Sequence, residues 1–267
     1  MGPWSDMANR ILILTEGSVD EQDVFFSAFN KYGIDAIASS ERIIEIDAVK
    51  FVESSYSGGN TTIFIIQGPR NRIHGFLKFV DDKNMSIEKS LGFQFGYFSK
   101  IFLIYDVDHN DCDDVLRMSS LFKDETTGML LLSSPCIEVL ADFNRDRKEF
   151  RCQRLREYKK EINGHYHGSA KKFIADHFDE IMLHFLEKNY RDFKERNIME
   201  HPNLIVGKIN ELNIRVNCKD KSASYVLCRY FSTVVYVAIA DALSLTVQVD
   251  NYETVKSFFE SQLKRNN

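Results

Sequence analysis

No two of the five cysteines, at positions 112, 136, 152, 218 and 228, stand at C-x-x-C spacing, so the pattern offers neither a zinc knuckle nor a vicinal redox dithiol. The scattered, odd-numbered set reads as reduced thiols in a cytoplasmic protein. Phosphate-cradling glycine loops are missing as well. No G-x-x-x-x-G-K-[ST] and no G-x-G-x-x-G follows a strand-like run, which speaks against an ATPase. Positive charge is not in excess: 34 basic residues face 39 acidic ones, for a formal net charge of −5. That balance argues against a general nucleic-acid coat protein but not against an enzyme with a local basic patch. No long apolar run is free of charge; the most apolar late stretch, Tyr225 to Leu245, contains Arg229 and Asp241 and reads as a buried helix, not a membrane span. The opening MGPWSDMANR lacks the charged and apolar regions of a signal peptide.

What the chain does have is a hydrophobic content of 44% over 267 residues, enough for a full core. It also has strand-like runs that end on acids. Ile101 to Tyr105 is continuously apolar and β-rich, the pattern of a strand covered on both faces, and it stops at Asp106. Ligands of open α/β sheets bind at the carboxyl ends of the strands, so Asp106, Asp108 and Asp111 are expected at a rim. Clustered carboxylates repel unless a cation lies between them, and hard divalent ions prefer such oxygens. Turn and N-cap chemistry accounts for the same aspartates equally well on this segment alone. Earlier, Arg10 to Leu14 forms a second apolar run, followed by Thr15, Glu16 and Gly17 and then a segment with Val19, Phe25, Phe26 and Phe29 at helical spacing. Glu16 thus ends its strand as Asp106 does. Glu21 falls on the first helical turn, where the helix dipole also favours an acid.

An early strand ending in Glu-Gly and a later one ending in Asp-x-Asp resemble the TOPRIM domain of topoisomerases, primases, small nucleases and OLD-family nucleases. Ser133-Ser134-Pro135-Cys136-Ile137-Glu138 further resembles the Ser-x-Pro-Cys-x-Glu segment of RloB-type and abortive-infection TOPRIM proteins. The resemblance covers about the first 145 residues, a limit set by the coarse reading of elements. It implies that Glu16, Asp106 and Asp108 are catalytic and bind Mg²⁺, or Mn²⁺ in its place. Glu21, Asp111 and Glu138 would be further metal ligands or outer groups. It also implies a toxin-like nuclease in bacterial anti-phage defence, of the PARIS type among others, acting on RNA, tRNA included, or DNA and held by an ATPase partner.

The fold expected is α/β: a TOPRIM-like, mostly parallel sheet with flanking helices over residues 7–144, then an all-helical part over 145–267 for substrate, partner or dimer contacts. Strands are expected at Arg42 to Asp47 and Thr61 to Gln67, and a loop at Arg70 to His74. The run from Arg145 to Lys160 is locally basic. Arg147, Lys148, Arg151, Arg154, Lys159 and Lys160 are candidates to track a phosphate backbone, joined by Arg70, Arg72, Lys171 and Lys172. A solvated helix with intrahelical charge pairs is the plainer account of the same run. Ser169 is placed to cap a fresh helix. From a different class, the alternative function is a non-catalytic TOPRIM-fold subunit that binds a partner through its helical half.

Overall fold

The computed structural model describes residues 9–16, 24, 30, 35–37, 41–58, 61–76, 98–107, 112–124, 128–133, 136–143, 155–167, 169–193, 202–215, 218 and 252–266. Strands β1 (Asn9–Glu16), β2 (Asp35–Ala36), β3 (Arg42–Ile46), β4 (Val49–Gly58), β5 (Thr61–Gly68), β6 (Lys100–Asp106), β7 (Lys123–Asp124) and β8 (Gly128–Ser133) form one sheet. Its order is β2-β4-β5-β1-β6-β8-β7, with β3 also paired to β4. The chain is therefore α/β, but the expectation of a mostly parallel sheet is corrected to a mixed one. Strands β5, β1, β6 and β8 run parallel, while β2, β3, β4 and β7 pair antiparallel.

The difference arises in residues 42–58. Asp47 and Ala48 both take positive φ, 51° and 62°, and Ile46 pairs with Val49. A two-residue turn of this hand matches the twist of flanking strands, so the chain doubles back as a β3–β4 hairpin. Strand β4 escapes recognition in the sequence because Glu53, Ser54 and Ser55 are polar yet buried. Arg42 partners Glu53 across the hairpin, with Nε 3.1 Å from Oε2.

The helices are α1 (Arg70–Ile73), α2 (Cys112–Leu121), α3 (Leu155–His165), α4 (Ala170–Asp176), α5 (Phe178–Phe193), α6 (Pro202–Ile214) and α7 (Tyr252–Asn266). A 3-10 helix spans Ile137–Asp142. The expected loop at Arg70 is a single helical turn, because the Pro69 carbonyl accepts from the Arg72 and Ile73 N–H groups. The Ser169 cap is as expected: its hydroxyl accepts from the Lys172 N–H at 3.2 Å. Asn163 lies in the last turn of α3, just before the break between His165 and Ala170. Its amide donates to the Lys159 carbonyl and accepts from the Ala170 N–H, so it joins α3 to α4. The buried helix expected at Tyr225 to Leu245 lies outside the described residues.

Alternate strand residues supply two hydrophobic clusters, one on each face, as the period of two requires. Ile11, Ile13, Ile63, Phe102, Ile104 and Leu131 pack with Tyr158, Ile162, Ile174, Phe178, Phe185, Ile209 and Phe259 of α3 to α7. Leu12, Leu14, Leu103, Tyr105 and Leu132 pack with Ile73, Val115, Met118, Ile214 and Cys218. A disulfide joins Cys112 to Cys218, which corrects the expectation of reduced thiols for this pair; Cys136 is a buried free thiol. Among the described residues no helix is long and apolar enough to cross a membrane.

Gly68 ends β5 beside Glu16 in register, and a Cβ placed on it would stand 2.6 Å from Phe51 Cε1. Phe51 is fully buried and has no room to yield. Gly68→Ala is expected to lower stability by about 1–3 kcal/mol through overpacking, read from urea denaturation midpoints.

Candidate functional site

The carboxyl margin of the parallel strands is set by register. Glu16 lies opposite Gly68 of β5, Thr15 opposite Ile104 of β6, and Asp106 opposite Ser133 of β8. Glu16 and Asp106 therefore reach one rim although ninety residues separate them. Their contact is direct: the Asp106 backbone N–H donates to Glu16 Oε1 at 3.3 Å. After β8 the chain enters the 3-10 helix, whose first turn carries Glu138 to the same margin. Glu138 is 2% exposed, so its charge requires a neighbour.

Lys159 supplies it. Its ammonium lies 3.5 Å from Glu138 Oε2 and 3.9 Å from Asp106 Oδ2. These separations are longer than charge-assisted hydrogen bonds, so the lysine acts here mainly through its charge. Helix α3 is held in place for this contact. Tyr158 donates from its hydroxyl to Asp142 Oδ2 at 3.0 Å, and Tyr166 donates to the Ala141 carbonyl at 2.6 Å. Both acceptors belong to the 3-10 helix that carries Glu138. Cys136 sits beneath this group, and its thiol is pushed well up by burial, then by the charges of Glu138 and Asp106, against the lowering influence of Lys159.

Of the residues singled out in the sequence, Glu16, Asp106 and Glu138 are thus brought to one margin, with Lys159 between Asp106 and Glu138. Asp108, Asp111 and Glu21 lie outside the described residues, as do Arg147, Lys148, Arg151, Arg154 and the side chain of Arg70. Arg72, Lys160 and Lys172 are exposed and Lys171 is half-buried, on α1, α3 and α4. Among the described residues no group of three or more His, Cys, Asp or Glu side chains is arranged to hold a metal ion. The sequence did not point to Asp142, nor to the place of Lys159 between two acids. Asp142 bears no motif, and Lys159 was one member of a basic run whose inward orientation only the apolar pair Tyr158 and Ile162, both buried, could have suggested.

The chain matches no family model, no curated protein and no solved structure.

Burial and two adjacent carboxylates keep Cys136 protonated, so it is expected to resist iodoacetamide at pH 8 in the folded chain and to react on unfolding. Its folded-state pKa lies above the unfolded value, so its contribution to stability is complete below about pH 8.5 and is lost as pH rises further. Melting temperatures of the wild type and Cys136→Ala between pH 7 and 10 check the sign: the wild type is expected to lose more.

Proposed function

We propose that the chain is a Mg²⁺-dependent TOPRIM-type endonuclease that hydrolyses phosphodiester bonds of RNA, tRNA among them, or of DNA. The observation that supports this reading is the meeting of Glu16 with Asp106 at the carboxyl margin of parallel strands, where a lysine joins Asp106 to Glu138. The donor chemistry fits a hard divalent ion, since carboxylate oxygens are its preferred ligands. Glu16 and Asp106 would hold it together with Asp108, which follows two positions after Asp106 in the chain. When bound, the ion would polarise the phosphate and lower the pKa of a water.

The chain's own groups have separate tasks in this scheme. The Asp106 N–H orients the Glu16 carboxylate toward the margin. Glu138 and Asp106 hold Lys159 at the rim, where an ammonium stabilises negative charge that develops on a phosphoryl group. Arg72, Lys160, Lys171 and Lys172 provide phosphate contacts that position a strand without reading its sequence. The resemblance in the Glu-Gly, Asp-x-Asp and Ser-x-Pro-Cys-x-Glu segments extends the proposal to a toxin-like effector of anti-phage defence, restrained by an ATPase partner and homo-oligomeric. That extension is analogy from family to chain.

Incubation with total tRNA, single-stranded DNA and duplex DNA, with Mg²⁺ and then with a chelator, tests the reading. Cleavage is expected with metal and none with chelator. Glu16→Ala is expected to lower cleavage by at least about a hundredfold while the far-ultraviolet circular dichroism stays unchanged. Undiminished cleavage by this variant removes Glu16 from the site. Absence of both metal binding and cleavage, with or without the partner, leaves the partner-binding subunit as the better account.

A further inference from the structure

Helices α2 and α6 meet over the edge of the sheet where β7 pairs with β8, and a cavity of about 400 Å³ lies between them. That volume is in the range of small-molecule sites. The cavity is separate from the acidic rim. Met129 and Leu130, which line it, belong to the first half of β8, whereas Ser133 at the other end of that strand pairs with Asp106. Leu116, Phe122, Met129, Val206 and Ile214 give it apolar walls. The Asn210 amide donates to the Leu130 carbonyl at 2.8 Å, so α6 is fixed to the strand it faces across the cavity. Three features of the lining ask for an explanation. Lys123 and Glu211 both line it, and among the described residues neither side chain enters an ion pair, so opposite charges face one apolar space without pairing. Leu116 is one of four large apolar side chains left exposed among the described residues. Gly207 stands inside α6, although glycine is a poor helix former, and a Cβ placed on it would meet nothing within 4 Å. Neither crowding nor a positive φ requires glycine there; its missing side chain leaves the wall of the cavity open.

We infer that the cavity between α2 and α6 is a binding site for a compact zwitterion with an apolar body, the chemistry of a free aromatic amino acid. The ring takes the apolar walls, where Phe122 offers an aromatic partner and Met129 a thioether. The carboxylate faces Lys123 and the ammonium faces Glu211. Both protein charges are on exposed side chains, so water and salt screen them. Their task is accordingly to select the ligand, since a molecule lacking one of its charges leaves one of theirs without a complement, while burial of the ring supplies most of the affinity. Covering Leu116 adds to that burial. The site does not depend on the function proposed above.

The test titrates the full chain with L-tryptophan, followed by saturation-transfer NMR and calorimetry. Saturable binding is expected, and two derivatives are expected to bind several-fold more weakly: L-tryptophanamide, which lacks the carboxylate, and N-acetyl-L-tryptophan, which lacks the ammonium. Lys123→Met is expected to abolish the preference for tryptophan over the amide, and Glu211→Gln the preference over the acetyl derivative. Gly207→Leu, which places a side chain in the open wall, is expected to weaken tryptophan roughly tenfold or more. Its melting temperature is expected to be no lower than that of the wild type, because leucine is the better helix former, and Gly207→Ala serves as the second folded variant should leucine disturb the helix. No binding of tryptophan up to about 5 mM, an affinity below any specific use of the cavity, overturns the site. So does undiminished binding by a folded Gly207→Leu. Equal binding of all three ligands, or preferences that survive the Lys123 and Glu211 variants, overturns the assignment of a zwitterion.

Discussion

The parallel pairing of β1 with β6 is the constraint on which the candidate site depends. Register places Thr15 opposite Ile104, which carries Glu16 and Asp106 to one margin and allows the backbone N–H of one to reach the carboxylate of the other. Packing enforces that register. Ile13, Leu14, Phe102 and Leu103 are each fully buried, and they divide between the two faces of the sheet. A slip of one residue would exchange the faces of every one of them, so the core that stabilises the fold also fixes where the acids emerge.

The second layer of the arrangement comes from the helical half. One hydrophobic cluster runs without a break from the strands to Tyr158, Ile162, Ile174 and Phe185. Burying Tyr158 obliges its hydroxyl to find an acceptor, which Asp142 provides, and that bond fixes the rotation of α3 about its axis. The next residue, Lys159, is then turned toward Glu138 and Asp106 rather than into open solvent. A packing requirement one position away thus delivers the cation.

Strands β1, β5, β6 and β8 were legible because burial on both faces leaves continuous apolar runs such as Ile101 to Tyr105, and the acids that end β1 and β6, Glu16 and Asp106, mark the sheet's edge. Strand β4 was not, since Glu53, Ser54 and Ser55 are buried through partners rather than by apolarity; Arg42 across the hairpin accompanies Glu53. Nor does a turn built from Asp47 and Ala48, without glycine, advertise a hairpin. Glu16, Asp106 and Glu138 could be nominated from strand ends. Lys159 could be nominated only as one of many basic residues, because orientation on a helix depends on what the opposite face packs against. The Cys112–Cys218 bridge was invisible for a related reason: no local spacing relates two residues that meet only when α2 and the end of α6 share a core with Val115 and Ile214.

The charge pattern at the rim carries the argument one step further. Glu16, Asp106 and Glu138 are three carboxylates, and Lys159 is a single ammonium placed toward the Glu138 side of the group. Glu138 is deep and Lys159 is about one-third exposed, so that ion pair lies in a poorly screened environment and is retained as part of the fold. Asp106 belongs to both halves: its side chain faces the lysine while its amide holds Glu16. In the function proposed above, a divalent cation held by Glu16 and Asp106 would act beside this fixed lysine. The ion would activate and the lysine would stabilise.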